Sequence, residues 1–163
     1  MPRISIPIGP SRAPIWPEGV EGSISHTRGL AVSVAARDSQ YRGIGLDVEH
    51  VIESSMREVL SSTVVDHHEI QYLQTLDDDL SIEAALTLAF SAKESLFKGT
   101  HAIVGHSFGF DKAKVVQVDI EQNTLQLQVA ENLCTDYPQG KICTLHFRRV
   151  FPDILLTCFT RPD

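Results

Sequence analysis

Cysteine is scarce in this chain: Cys134, Cys143 and Cys158 are its three, an odd number with no CxxC pair. A disulfide scaffold and a structural zinc site are thereby excluded as organising devices, and free thiols in a reducing cytoplasm are the simpler expectation. Cations are also in short supply, with 14 Lys and Arg against 21 Asp and Glu and a net charge of -7. Bulk electrostatics therefore argue against broad binding to nucleic acid or to a membrane surface. No apolar run is long enough to span a bilayer, and the first residues lack the charged-then-apolar order of a secretory leader. Internal repeats and low-complexity tracts are absent as well. The expected location is cytoplasmic, and a polyanionic ligand would have to be held by a metal and a few local cations.

What is present fits one sizeable core. The chain has 163 residues, 42% of them hydrophobic and 21% charged, and a single domain over 1–163 is the default. Residues 1–22 hold five of the eight prolines together with Gly9, Gly19 and Gly22, which predicts an extended, turning segment. Trp16 and the isoleucines Ile4, Ile6, Ile8 and Ile15 are expected to pin it to the body. Residues 23–37 read as a β-hairpin turning at Thr27-Arg28-Gly29. Next comes Gly43-Ile44-Gly45-Leu46-Asp47-Val48-Glu49, a strand whose two faces differ. Ile44, Leu46 and Val48 form one apolar face, expected in the core. Gly43, Gly45, Asp47 and Glu49 form the other, where missing side chains suggest close approach of a ligand or another backbone. Paired carboxylates beside open space suit a hard divalent cation, although a lone DxE is more often a solvated acidic turn.

Arg57 to Leu76 has a helical pattern interrupted near Ser61-Ser62, with Thr63 or Asp66 as N-cap. The Asp77-Asp78-Asp79 run is expected to be a solvated loop. The next helix, about Ser81 to Gly99, is apolar almost all round, so it should be buried. Its one polar stripe, Glu83, Thr87, Ser91, Glu94 and Lys98, must then face something other than bulk solvent. Lys93 falls on the apolar flank beside Phe90 and Phe97, and its amine is expected to reach outward past a packed stem. Glu94 and Lys98 could form a simple i,i+4 ion pair, although burial would ask for a stronger partner for Glu94. Gly99, and then Gly105, mark the exit from the helix. The remainder reads as strands at Val115–Ile120, Thr124–Ala130, Lys141–Val150 and Ile154–Thr160. The fold class is therefore α+β, an antiparallel sheet packed on a long buried helix.

Three elements carry chemistry together: Ser25-His26 on the hairpin, Asp47 and Glu49 on a strand, and FSAKESLFK (residues 90–98) on the buried helix. Their order, with the wordings GSISHT, GIGLDVE and RAPIWPEGV, resembles the 4'-phosphopantetheinyl transferases. The closest resemblance is to the two-lobed kind serving siderophore and nonribosomal peptide synthesis, including the enterobactin-synthase type. It runs from about Arg12 to Lys98 by motif and onward by layout. It implies a transferase that moves the phosphopantetheine arm of coenzyme A to a serine of an apo acyl- or peptidyl-carrier protein, releasing 3',5'-ADP. By resemblance, Asp47, Glu49 and Glu94 match magnesium ligands, and Ser25 and His26 match residues contacting the nucleotide. Lys98 matches the lysine that reaches the phosphates, with Lys93 as a second cation there, and Arg12 matches a basic position before the tryptophan. The carrier serine needs a base, and Glu94 or a metal-bound water beside Glu49 is the candidate.

Two-lobed members carry a first half equivalent to the second. By that layout residues 1–40 read as a remnant of the first lobe and 41–163 as a complete second lobe. Reduced coenzyme A affinity and self-association through uncovered apolar surface are the expected consequences. His67-His68-Glu69 does not have HExxH spacing and reads as a solvated helix surface. His101, His106 and His146 read as surface or locally bonded histidines, and Arg148-Arg149 as an exposed strand face. Two other classes of function stay open: a non-enzymatic module binding coenzyme A or a carrier protein, and a magnesium-dependent phosphohydrolase.

Overall fold

A computed structural model describes residues 5–9, 13–76 and 80–163. Ile4, Arg12 and the Asp77-Asp78-Asp79 run lie outside the described residues. The leading segment is extended, with Gly9 and Ile15 bonded back to Ala13 and Pro7. Trp16 lies against Gly22, where an added Cβ would come within 2.8 Å of its ring carbons. Ile8 and Ile15, expected to pin the segment, are instead exposed.

The hairpin joins β1 (Val20–Thr27) to β2 (Leu30–Arg37) through the two-residue turn Arg28-Gly29. Gly29 takes φ 77°, a conformation that favours glycine. β3 (Tyr41–His50) follows, then a one-turn 3-10 segment (Ser54–Met56), α1 (Arg57–Thr63) and α2 (His67–Gln74). The break between α1 and α2 falls at Val64–Asp66 rather than at Ser61-Ser62, because Asp66 and Glu69 form a reciprocal capping box. α3 spans Ile82–Val104, and β4 (Ala113–Asp119), β5 (Thr124–Val129), β6 (Ile142–Phe151) and β7 (Ile154–Pro162) complete the chain. The sheet is antiparallel in the order β3-β7-β6-β5-β4, with β1-β2 as a separate two-stranded sheet. The α+β expectation holds. Among the described residues no helix is long and apolar enough to cross a membrane.

α3 packs across β3 and β7, and the main core lies between it and the sheet. Leu86, Leu88, Leu96, Leu125, Leu127, Leu145 and Leu155 are almost fully buried there, each contributing about 1.5–3 kcal/mol relative to exposure. One expectation is borne out and one is corrected by this packing. First, Ile44, Leu46 and Val48 are buried as expected, though outside the main cluster. The glycine face of β3 is the one turned to α3, where a Cβ on Gly43 or Gly45 would overlap the Gly99 or Ser95 carbonyl oxygen. The glycines therefore admit another backbone, not an open ligand space. Second, α3 does not stop at Gly99. A Cβ there would meet Phe159 at 2.6 Å and the Gly45 amide at 2.8 Å, so Gly99 is a packing residue within the helix. The helix runs on to Gly105, whose φ of 78° ends it.

Candidate active site

The site is built where the Gly-to-acid face of β3 leaves the backbone of α3. Gly43 and Gly45 let the two elements touch, and Asp47 then meets the helix side chains one step further along the strand. Lys98 pairs with Asp47 Oδ1 at 2.6 Å and is 27% exposed. It does not pair with Glu94: the tertiary partner displaces the simple i,i+4 pair. Part of the polar stripe faces β3, β7 and the residues just after β3, whereas Glu83 pairs with Arg57 and Glu94 lines a cleft. Thr87 accepts the Ile52 amide, and the Ser91 and Ser95 hydroxyls bond Thr157 Oγ1 at 2.8 and 2.7 Å.

β3 is the edge of its sheet, and its outward amides would otherwise lack partners. Ser23 Oγ accepts the Leu46 amide at 2.9 Å and Ser25 Oγ accepts the Val48 amide at 3.4 Å. The alternation of β1 thus places two serine hydroxyls along that edge, which explains the GSIS wording physically. Ser25 also donates to Asp47 Oδ1 at 2.8 Å. His26 faces the other way, exposed, on the face it shares with Ile24.

Asp47 is 2% exposed, and its Oδ2 is buried with no hydrogen-bond partner. Burial raises the Glu49 carboxyl to about 7, with Asp47 adding to the rise and Lys98 opposing it. Glu94 is raised in the same direction by burial and then by Asp47. The three acids and Lys98 therefore form one electrostatic neighbourhood with more negative than positive charge. Among the described residues no three of His, Cys, Asp and Glu are gathered into a metal-ligating group.

A cleft of about 470 Å³ opens beside this cluster, between the segment leading into β1 and the second half of α3. Trp16, Glu21, Ser23, Ile24, Glu94, Phe97, Lys98 and His101 are among its lining residues. A smaller cavity of about 280 Å³ shares Glu94 and Phe97 and is walled by Phe108 and Phe110.

Lys93 is corrected. Its amine does not reach outward: it is buried in an ion pair with Glu69 at 2.7 Å and donates to the Val64 and Phe110 carbonyls at 2.7 and 3.2 Å. Burial lowers its ammonium and Glu69 opposes that shift. Glu69 in turn accepts the amides of Asp66 and Val115 at 2.9 and 2.8 Å. His67 and His68 are exposed as expected, whereas their neighbour Glu69 is the residue the sequence reading missed. The available signal was a lysine on an apolar helix flank, which needs a buried anion. His106 and His146 are exposed, but His101 lines the larger cleft. Only because α3 continues past Gly99 does His101 share the face of Glu94 and Lys98.

Comparison with known proteins places this geometry in context. Residues 1–36 match the 4'-phosphopantetheinyl transferase N-terminal domain, and residues 43–148 match the 4'-phosphopantetheinyl transferase superfamily. Enterobactin synthase component D of Salmonella typhi is 38% identical over 120 residues, covering 74% of this chain and 48% of that protein. The 4'-phosphopantetheinyl transferase Npt of Nocardia iowensis is 32% identical over 114 residues, covering 70% of this chain and 49% of its own length. The chain thus spans about half the length of the curated relatives it matches. The holo-ACP-synthase crystal structure from Plasmodium yoelii shares the fold, at a TM-score of 0.50 and 14% identity over 75% of this chain and 94% of that one. With the superfamily match covering well over half of its residues, the chain belongs to the 4'-phosphopantetheinyl transferase superfamily.

Proposed function

We propose that the chain transfers the 4'-phosphopantetheine group of coenzyme A to a serine of an apo carrier protein, releasing 3',5'-ADP. The observation that carries this reading is the Lys98–Asp47 ion pair at the edge of a cleft lined by Glu94 and Lys98, with Glu49 in the same electrostatic neighbourhood, in a chain of this family. In the reaction the carrier serine Oγ bonds to the phosphorus bearing the pantetheine arm, the P–O bond to the nucleotide breaks, and the serine proton passes to a base. Glu94 suits the base. It lines the cleft, and burial together with Asp47 raises its affinity for a proton. Lys98 supplies positive charge beside the breaking pyrophosphate. Ser25 orients Asp47 through its hydroxyl. His26, exposed on the face of β1 that includes cleft-lining Ile24, is available to a nucleotide phosphate.

The chemistry of the acids suits a divalent cation, which would have to draw the three carboxylates closer together than they stand. Asp47 Oδ2 is a buried carboxylate oxygen without a partner, and Glu49 and Glu94 are destabilised as anions by burial and by Asp47. Asp47, Glu49 and Glu94 would hold Mg2+, an ion that takes a few carboxylates and keeps room for phosphate oxygens. When bound, it supplies charge neutralisation at the pyrophosphate. The test is incubation with coenzyme A, Mg2+ and an apo carrier protein, read by intact-mass spectrometry. A carrier that gains the arm supports transfer. A carrier of unchanged mass rejects it, and breakdown of coenzyme A without any carrier points to a hydrolase instead.

A further inference from the structure

We infer that His101 is a ligand-binding residue of the larger cleft, donating a hydrogen bond to the phosphate-bearing nucleotide half of coenzyme A. This rests on the transferase reading and adds a residue from outside the motifs that carry the resemblance. α3 places Glu94, Lys98 and His101 at i, i+4 and i+7, two turns along one face, and all three line the cleft. Lys98 is the obvious cation for a phosphate, yet its ammonium already has three acceptors for its three hydrogens. These are Asp47 Oδ1 at 2.6 Å, Ser25 Oγ at 3.2 Å and the Leu46 carbonyl at 3.3 Å. A phosphate approaching Lys98 must displace one of them.

Glu21 and Glu94 add acidic groups to the same lining, so an anion entering there needs a donor that is not already engaged. Among the described residues the His101 ring makes no hydrogen bond, and it is held edge-on to Phe97 at 5.2 Å and 68°. Phe97 is braced by Phe108 at 5.2 Å and 71°. The imidazole is thus positioned by an aromatic relay while its nitrogens stay available. Either neutral tautomer carries one N–H donor, so the contact does not depend on the ring becoming charged.

Calorimetric binding of coenzyme A and of 3',5'-ADP to the full chain, His101→Ala and His101→Gln tests this. His101→Ala is expected to weaken both ligands alike by roughly 3- to 10-fold, the worth of one hydrogen bond. His101→Gln, which keeps a donor, is expected to recover most of that loss. Unchanged affinity in His101→Ala overturns the inference, as does a Gln variant no better than Ala. Weakening confined to coenzyme A also overturns it, because the residue would then serve the pantetheine arm. An unaltered chain that binds neither ligand overturns the transferase reading itself, and this inference with it.

Discussion

Lys93 and Glu94 are neighbours in sequence, yet α3 sends them into opposite kinds of environment. Lys93 enters a buried pair whose other end, Glu69, already holds two backbone amides, and its three hydrogens meet Glu69, Val64 and Phe110. Glu94 faces a cleft beside Asp47, whose second carboxylate oxygen has no partner, and Glu49, whose carboxyl rises to about 7. The first cluster is satisfied and the second is not. A satisfied buried pair fixes structure, because breaking it strands a charge. An unsatisfied acidic cluster at a cleft is a standing demand for a cation, a proton or a substrate.

The contrast can be broken from the structural side first. Lys93→Met should cost about 3–5 kcal/mol of stability, measured by urea unfolding, because Glu69 is left without its principal buried counter-charge. A variant of unaltered stability that loses the proposed transferase activity would put Lys93 back at the substrate. From the other side, Asp47→Ala and Glu94→Ala should each reduce kcat/KM by roughly 10²- to 10³-fold, the scale of removing one electrostatic participant from a transition state. Their folding, followed by circular dichroism, should change little, and wild-type rates in either variant would reject the site.

The close contact of α3 with β3 is itself testable. Gly99→Ala inserts a methyl 2.6 Å from Phe159 and 2.8 Å from the Gly45 amide, so overpacking should cost about 1–3 kcal/mol and pry α3 from β3. A neutral melting temperature would mean that the helix and strand can part without loss. The smallest effect is pH-dependent. Glu49 is raised from 4.5 to about 7, so its contribution is fully present below pH 4.5 and is lost as pH rises through about 7. Glu49→Gln should therefore melt higher than the unaltered chain at pH 8, with the difference closing toward pH 4.5. Equal melting curves across that range would show that Glu49 is solvated like an ordinary surface acid.

Much of the fold was legible because it rests on local periodicity. The period-two strands, the apolar helix, the Arg28-Gly29 turn and the Asp66 cap all follow from short-range rules. The site was legible only in part. Asp47, Glu94, Lys98 and Ser25 were expected together, and the structure gathers them at one junction. Glu69 and His101 were passed over for a shared reason. Each takes its surroundings from a partner or a helix extension that only packing reveals.

By itself, then, the sequence determined the α+β class, the buried helix with one polar stripe, and the acids and lysine proposed for the site. Tertiary structure decided which face of β3 met that helix, that Gly99 continues the helix instead of ending it, and that Lys93 turns inward while Glu94 faces the cleft. The physical reason is range. Backbone preference and hydrophobic period act over a few residues, whereas a missing Cβ or a buried charge takes its meaning from whatever group, distant in the chain, occupies the space beside it.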